Sequence, residues 1–308
     1  MSRKIQSVLI YGYGVMGQGV AKTFAEAGFK TTIKSSRAAS LKDLPSGVTA
    51  VAALPKDAPD LVIEFVPEDI PAKQAVYAEI EAAWPDGDYL LATGTSGLDL
   101  VKLATTLKKP ERFIGLHYFM PADKSLVVEV MAGPDSPAES VDAAVEVMRR
   151  TGKEPVVLYK PIVGFLVNRL QHAILHEAYY LIENGVASAA DIDHAARRLL
   201  APRMCLNGLI QQKDISGLKI HADAQSSIIP ELFHNNLPNP MLQAMVTRGE
   251  TGLAAGKGFY DWDGCTVDAV RKQASTQLTA LMAFLDQELP KSAPGTEPKA
   301  RDPRKQAT

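Results

Sequence analysis

The sequence predicts an α/β chain in which a mostly parallel sheet comes first and an all-α segment follows. Three observations carry this. Short apolar runs alternate with amphipathic helical patterns through the first half. A glycine-spaced turn, GYGVMGQG, sits between the first of those runs and the first helical pattern. From about Val163 to Glu288 the strand patterning stops and the chain reads almost wholly helical.

The expected strands are VLIYG (8–12), KTTIK (30–34), LVIEF (61–65), YLLAT (89–93), RFIGLH (112–117) and LVVEVM (126–131), with VVLY (156–159) closing the series. Helices are expected at about 15–27, 71–84, 97–107 and 137–151. Apolar strands separated by helices read as a parallel sheet covered on both faces. In the second half the longest helical pattern is NRLQHAILHEAYYLIENG, with Gly185 as its C-cap and Ser188 as the N-cap of the next helix. Three regions follow: 1–160, a dinucleotide-binding domain; 161–289, an α-helical substrate and dimerisation domain; and 290–308, a proline-bearing tail with almost no large apolar residues, expected to be disordered.

A formal net charge of −2 argues against a nucleic-acid surface, which needs a basic excess. No apolar run is long enough to span a bilayer and no signal-peptide core precedes the first strand, so a cytoplasmic protein without a membrane partner is expected. Cys205 and Cys265 stand far apart without metal-ligand spacing and read as thiols in a reducing compartment.

Gly12, Gly14 and Gly17 have G-x-G-x-x-G spacing, directly after a strand and opening a helix. Gly12 permits the tight turn, Gly14 lets backbone approach a pyrophosphate, and Gly17 lets the helix pack closely; Val15 and Met16 open the helix whose N–H groups face the phosphates. This is the signature of a Rossmann-like domain. At the end of its second strand an Asp or Glu ordinarily accepts hydrogen bonds from the ribose of NAD. Here Ser35, Ser36 and Arg37 stand instead. An acid would repel a 2′-phosphate, whereas serine hydroxyls donate to it and a guanidinium pairs with it. NADP(H) is therefore favoured over NAD(H); the alternative is a polar loop with a solvated arginine.

His117 ends an apolar run, and Glu129 lies in the following one, VVEV. A carboxylate among valines is costly unless paired, and His117 is the obvious partner. An imidazole oriented by a carboxylate is a sound general acid/base near neutral pH. His172 and His176, with Glu177 beside them, put two imidazoles at i, i+4 on one helix, but no further ligand has supporting spacing, so no metal is expected.

GYGVMGQG, EFVPED…K, TSGLDL, GLHYFMPA…LVVEV, GFLVNRL and GKGFYDW resemble, in order and spacing, the motifs of the 3-hydroxyacyl-CoA dehydrogenase superfamily over about residues 5–262. Among its members, the gulonate dehydrogenase, lambda-crystallin and carnitine dehydrogenase type is nearer than the fatty-acid enzymes. The resemblance implies a Rossmann-like domain followed by an all-α domain that commonly forms a homodimer. It implies that His117 takes the 3-hydroxyl proton as hydride leaves C3, that Glu129 orients the imidazolium, and that Ser96 and Asn168 bind substrate oxygen. Ser96 by itself is more often a turn residue or a helix N-cap. Glu68 and Lys73 match positions near the nicotinamide ribose, and Lys257 matches a cofactor-side loop; each is otherwise an ordinary surface charge.

Two departures concern the nicotinamide side. Gly94 replaces the Asn that usually precedes Thr-Ser, and Met120 replaces the Asn of the usual HFFNP. A third concerns substrate: only 29 positions separate Ser35 from Glu64, with room for one short helix and a strand in place of the hairpin that helps bind coenzyme A. The expected reaction is hydride transfer between NADP(H) and C3 of a compact free 3-hydroxy or 3-oxo acid, with Lys124, Arg203, Asn207 and Lys213 available to anchor its polar groups. The alternatives are an NAD-dependent enzyme acting on short acyl-CoA and a non-catalytic, crystallin-like protein.

Overall fold

A computed structural model describes residues 4–289, 295–296 and 298–301. The chain divides into two compact units, Met1–His172 and Ala173–Thr308. The first unit thus runs twelve residues beyond the division read at 160 and takes in the start of a long helix.

The first unit is built in the order β1 (Ser7–Tyr11), α1 (Val15–Glu26), β2 (Lys30–Lys34), β3 (Val48–Val51), β4 (Leu61–Glu64), α2 (Ile70–Ala83), β5 (Leu90–Thr93), α3 (Leu100–Ala104), β6 (Phe113–Tyr118), β7 (Val127–Ala132), α4 (Ala138–Arg150) and β8 (Glu154–Leu158). The strands form one sheet in the order β3-β2-β1-β4-β5-β6-β7-β8. Every pair is parallel except β6 with β7. β4, β5 and β6 are buried throughout, as their unbroken apolar runs require.

Two apolar layers cover the sheet. One gathers Val20 and Phe24 of α1 with Val147 and Met148 of α4; the other gathers Tyr77 and Ile80 of α2 with Leu103 of α3 and Phe113. α2 starts where its sequence says it should: Asp69 accepts a hydrogen bond from the Ala72 amide, and Pro71 stands in the first turn. The short crossover between β2 and β4 holds one 3₁₀ turn, Ala38–Ser40, and β3, the content its length predicts.

Strand order reverses between β1 and β4, since the chain leaves β1 toward β2 and returns to β4 on the other side. The crevice beyond the carboxyl ends of these two strands is where such sheets bind ligands.

α5 (Val167–Glu183) crosses from the first unit into the second, followed by α6 (Ala189–Ala195), α7 (Ala201–Asn207), α8 (Gln211–Ser216), α9 (Leu218–Ile228), α10 (Pro240–Thr247) and α11 (Val267–Gln287). Gly185 takes the left-handed conformation, with φ 65°, and Ser188 caps α6 by accepting from the Asp191 amide. None of α5 to α9, nor α11, contains a buried residue. Among the described residues no helix is long and apolar enough to cross a membrane. The expectation of a disordered tail falls mostly outside the described residues.

Candidate active site

The glycine turn is shaped by contacts that leave no choice of residue at two of its positions. Gly12 has φ 102°, and a Cβ there would stand 2.7 Å from the Phe65 carbonyl oxygen. A Cβ on Gly17 would run into the Gly12 carbonyl. Gly14 differs: nothing lies within 4 Å of where its Cβ would be. It caps α1, whose first turn, Val15 and Met16 included, has neither an acid nor a capping side chain. A backbone open to close approach at the N-terminus of a helix is the cradle a pyrophosphate needs, so these residues fit a dinucleotide.

The Gly12 amide donates to the Lys34 carbonyl at 3.0 Å, which ties this turn to the end of β2. Ser35 comes next, and its hydroxyl accepts from the Arg37 amide at 3.2 Å. Ser36 and Arg37 are exposed, and no ion pair engages Arg37 among the described residues.

His117 and Glu129 stand directly opposite each other in the antiparallel β6–β7 pair, so both side chains leave the same face of the sheet. His117 Nδ1 lies 2.6 Å from Glu129 Oε2, with the imidazole 4% exposed and the glutamate wholly buried. The other carboxylate oxygen accepts from the Leu166 and Val167 amides, each at 2.8 Å. These are the unpaired donors at the start of α5, so Glu129 also serves as that helix's acceptor and compensates its dipole. Phe165 turns the chain into this position with φ 54°, a conformation a bulky residue adopts at a cost of about 1–3 kcal/mol. Its ring lies 5.0 Å from the imidazole, with Phe119 at 4.5 Å. Glycine at 115 makes the room, since a Cβ there would crowd the Phe165 ring at 3.1 Å. With the carboxylate at Nδ1, that nitrogen carries the proton and Nε2 is the one left to exchange protons.

Asn168 follows on the first turn of α5, and its amide donates to the Ser96 carbonyl at 2.9 Å. The Ser96 amide in turn donates to Glu68 at 2.6 Å, and the Thr95 hydroxyl donates to the same carboxylate oxygen. Lys73 sits between Glu68, at 3.3 Å, and Glu64, at 2.7 Å. Its side chain is 1% exposed, so it is no solvated helix charge.

Glu64 is the residue that sequence reasoning missed. Wholly buried at the end of β4, it accepts from Lys73, the Val66 amide, the Tyr77 hydroxyl and the Thr93 hydroxyl. The signal was present, because an acid closing the apolar strand LVIE demands a partner for the same reason as the acid in VVEV.

The Gly94 departure has a steric cause. A Cβ at 94 would run into the Phe65 ring, which packs edge-on against Tyr118 at 6.0 Å. The aromatic ring occupies the space where the resemblance implies an amide. Met120 is exposed.

In the second unit, Lys257 is ion-paired with Glu250 at 3.0 Å. Arg248, and then Lys257, hold that carboxyl down at about 2. Arg203 is exposed, Asn207 and Lys213 half-buried; in the first unit Lys124 is exposed. His176 meets the Asn235 carbonyl at 2.6 Å, Glu177 accepts from the Phe233 amide at 2.9 Å, and His172 is exposed. Cys205 and Cys265 are exposed thiols.

A doubly wound sheet with an open glycine cradle and a carboxylate-held imidazole defines a nicotinamide-dinucleotide dehydrogenase acting on a CH–OH group. The comparisons agree. Residues 43–162 match the model of the 3-hydroxyacyl-CoA dehydrogenase NAD binding domain, and residues 164–262 match that of the C-terminal domain. The chain belongs to the 3-hydroxyacyl-CoA dehydrogenase family. The first match begins past Ser35–Arg37, so the β2 edge lies outside it. The chain is 32% identical to a 3-hydroxybutyryl-CoA dehydrogenase of Mycobacterium tuberculosis, covering 85% of this chain and all of the relative. It is 27% identical to a 5-formyl-3-hydroxy-2-methylpyridine 4-carboxylate 5-dehydrogenase of Mesorhizobium japonicum, covering 92% of this chain and 99% of that one. A solved structure of an enzyme of that activity, described as an NAD+-dependent dismutase, superimposes with a TM-score of 0.82 at 27% identity, again over 92% and 99% of the two chains.

Burial alone would push the Glu129 carboxyl up, but the hydrogen bonds from His117, Val167 and Leu166 outweigh it and hold it below its ordinary value. The unfolded chain therefore takes up protons first as pH falls, so this stabilisation is complete above the ordinary carboxylate value of 4.5 and is lost as pH falls through the lower folded value. Urea denaturation at a series of pH values should show Glu129→Gln less stable at neutral pH and with a flatter decline below 4.5 than the parent.

Proposed function

We propose that the protein transfers hydride between NADP(H) and C3 of a compact, free 3-hydroxy or 3-oxo acid. The observation that carries the reaction type is the buried His117–Glu129 pair at 2.6 Å, beside the Asn168–Ser96 contact that α5 brings to the same sheet edge. The bound dinucleotide supplies the hydride acceptor or donor. In the oxidative direction His117 Nε2 accepts the proton of the substrate hydroxyl while hydride leaves the same carbon, so a C–H and an O–H bond become a carbonyl. Glu129 stabilises the imidazolium that results. The Asn168 amide and the Ser96 hydroxyl hold the substrate oxygen, and in reduction His117 returns the proton. Gly12, Gly14 and Gly17 with the α1 amides of Val15 and Met16 hold the pyrophosphate. Glu68, with Lys73 behind it, would hold the nicotinamide ribose, and the resemblance offers Lys257 as a cofactor-side lysine.

Two observations support a compact acid. The β2–β4 crossover holds a single 3₁₀ turn and β3, too little for a coenzyme A hairpin. The Mesorhizobium relative, matched over 99% of its length, is named for a small pyridine carboxylate without coenzyme A. This supports nearness to members acting on free acids, the gulonate and carnitine dehydrogenases among them. Lys124, Arg203, Asn207 and Lys213 are the groups offered for the substrate's polar ends. A screen of 3-oxo acids, sugar acids and short 3-oxoacyl-CoA thioesters should find the highest kcat/KM among the free acids; a preference for thioesters would remove this half of the reading. On the best substrate, His117→Ala should lower kcat by about 10²–10⁴-fold with cofactor affinity nearly intact.

The NADP(H) preference rests on Ser35, Ser36 and Arg37, which has no ion pair among the described residues, at the end of β2, where an acid would select NAD. Titrated separately, Arg37→Ala should weaken NADPH by about 10–100-fold, the loss of one charge-assisted contact, and NADH by less than about twofold. Equal losses would return the cofactor to NAD.

The second unit supports a homodimer. Helices α5 to α9 and α11 bury no residue in one chain while Leu206, Ile210, Ile215, Leu218 and Ile220 are each more than 60% exposed. Light scattering should return twice the chain mass; a monomer at micromolar concentration would exclude it. Two exposed thiols suit a reducing cytoplasm, and nothing in the charge balance suits a nucleic acid or a membrane surface.

A further inference from the structure

Among the described residues no hydrogen bond joins the Glu64 side chain to the imidazole or the glycine turn, yet it is among the most completely buried charges in the first unit. Each of its carboxylate oxygens has two donors. Oε1 accepts from the Val66 amide at 2.6 Å and Lys73 at 2.7 Å; Oε2 accepts from the Tyr77 and Thr93 hydroxyls, both at 3.1 Å. Four donors, from the loop after β4, from β5 and from α2, leave the group no freedom to rotate.

From this fixed point two routes lead to the same short segment. Through Lys73 the charge reaches Glu68, which receives the Thr95 hydroxyl and the Ser96 amide. Through Thr93, whose hydroxyl also accepts from the Thr95 amide at 3.3 Å, it reaches the segment a second time. Ser96 then meets Asn168, and the two residues before Asn168 bind Glu129. A continuous polar chain thus runs from the buried Glu64–Lys73 pair to the imidazole.

We propose that Glu64 is a positioning residue: with Lys73 and Thr93 it sets residues 93–98 so that Ser96 is presented to Asn168. The proposal rests on the roles given above to Ser96 and Asn168, and it adds what holds them in register. Stability alone is a poor reason for such a pair, because a buried ion pair replaced by apolar groups of like shape is often neutral or better. Loss of the Glu64 charge leaves Lys73 with Glu68 as its acid. The ammonium then draws Glu68 away from Thr95 and Ser96, and the segment loosens by a fraction of an ångström to an ångström, which is costly where reacting atoms must be aligned.

The test compares Glu64→Gln and Thr93→Val with the parent full-length chain. Hydrogen exchange should quicken at the Thr95 and Ser96 amides in both variants, and kcat at saturating cofactor and substrate should fall by about tenfold or more in Glu64→Gln. Affinity for ADP, a probe of the cradle alone, should stay within about twofold. Exchange confined to residues 93–98 with lower kcat supports positioning. Exchange unchanged there, or quickened throughout the first unit with kcat preserved, overturns it. Should Glu64→Gln fail to fold, the near-isosteric Thr93→Val decides by the same two readings. Should no dehydrogenase activity be found in the parent, the exchange result still decides whether Glu64 orders this segment, and only the reaction assigned to it fails.

Discussion

The site depends on one buried carboxylate. Desolvating Glu129 costs several kcal/mol, and a charge-assisted hydrogen bond contributes about 1.5–3 kcal/mol. One partner would leave the group in deficit, so His117 and the two α5 amides are all required. Those donors come from β6 and from the start of α5, while the acceptor is on β7. Satisfying one side chain therefore fixes three pieces of chain against each other. The antiparallel β6–β7 pair, the left-handed Phe165 and the glycine at 115 are local features with one shared consequence: the imidazole cannot rotate, and its Nε2 keeps one direction.

The same device occurs a second time at the end of β4. Glu64 saturates both oxygens with donors, and the order it imposes passes along Lys73, Glu68 and Thr93 to the Ser96 segment. Two acids in apolar strands thus accept from the imidazole on one side and connect to the Ser96 segment on the other. Groups held this way before substrate arrives need little reorganisation during reaction, which is the main source of electrostatic catalysis. Both acids belong to strands of one sheet, and the glycine cradle opens at its β1 edge. Loops alone would hold such distances less well.

The sheet was legible because buried parallel strands are unbroken apolar runs; KTTIK became β2 without a shift of boundary, and the others shifted by one or two residues. His117 and Glu129 were legible because an acid among valines has to find a partner. Ser96 and Asn168, which the fold brings into contact, stand out in the sequence through the order of motifs alone, since a serine before a helix and an asparagine within one have ordinary structural uses. The resemblance puts Lys73 near the nicotinamide ribose, and by itself it reads as a solvated helix charge; its burial follows from Glu64, whose need for partners could have been argued as it was for Glu129. The Phe65–Gly94 fit was beyond reach, because it depends on where a ring from one strand end lies over its neighbour. The helices of the second unit were readable as helices, but periodicity does not encode what covers their exposed apolar residues.

The charge at the cofactor edge of β2 can be reasoned one step further. Lys34 adjoins Ser35 and would seem as able as Arg37 to meet a phosphate. Its ammonium, however, lies 3.5 Å from Glu79 and 3.3 Å from the Tyr11 hydroxyl, and it stands over the Tyr11 ring at 4.8 Å. Burial first, and then the bond to Glu79, push the Tyr11 hydroxyl well above its ordinary value, so it stays a neutral donor to that carboxylate. Lys34 is thereby matched within the fold, and its charge is balanced whether or not a dinucleotide is bound. Arg37 has no such partner among the described residues, and its strand end lacks the acid that would offset it. Of the two cations at this edge, Arg37 is therefore the one that has no ion pair among the described residues.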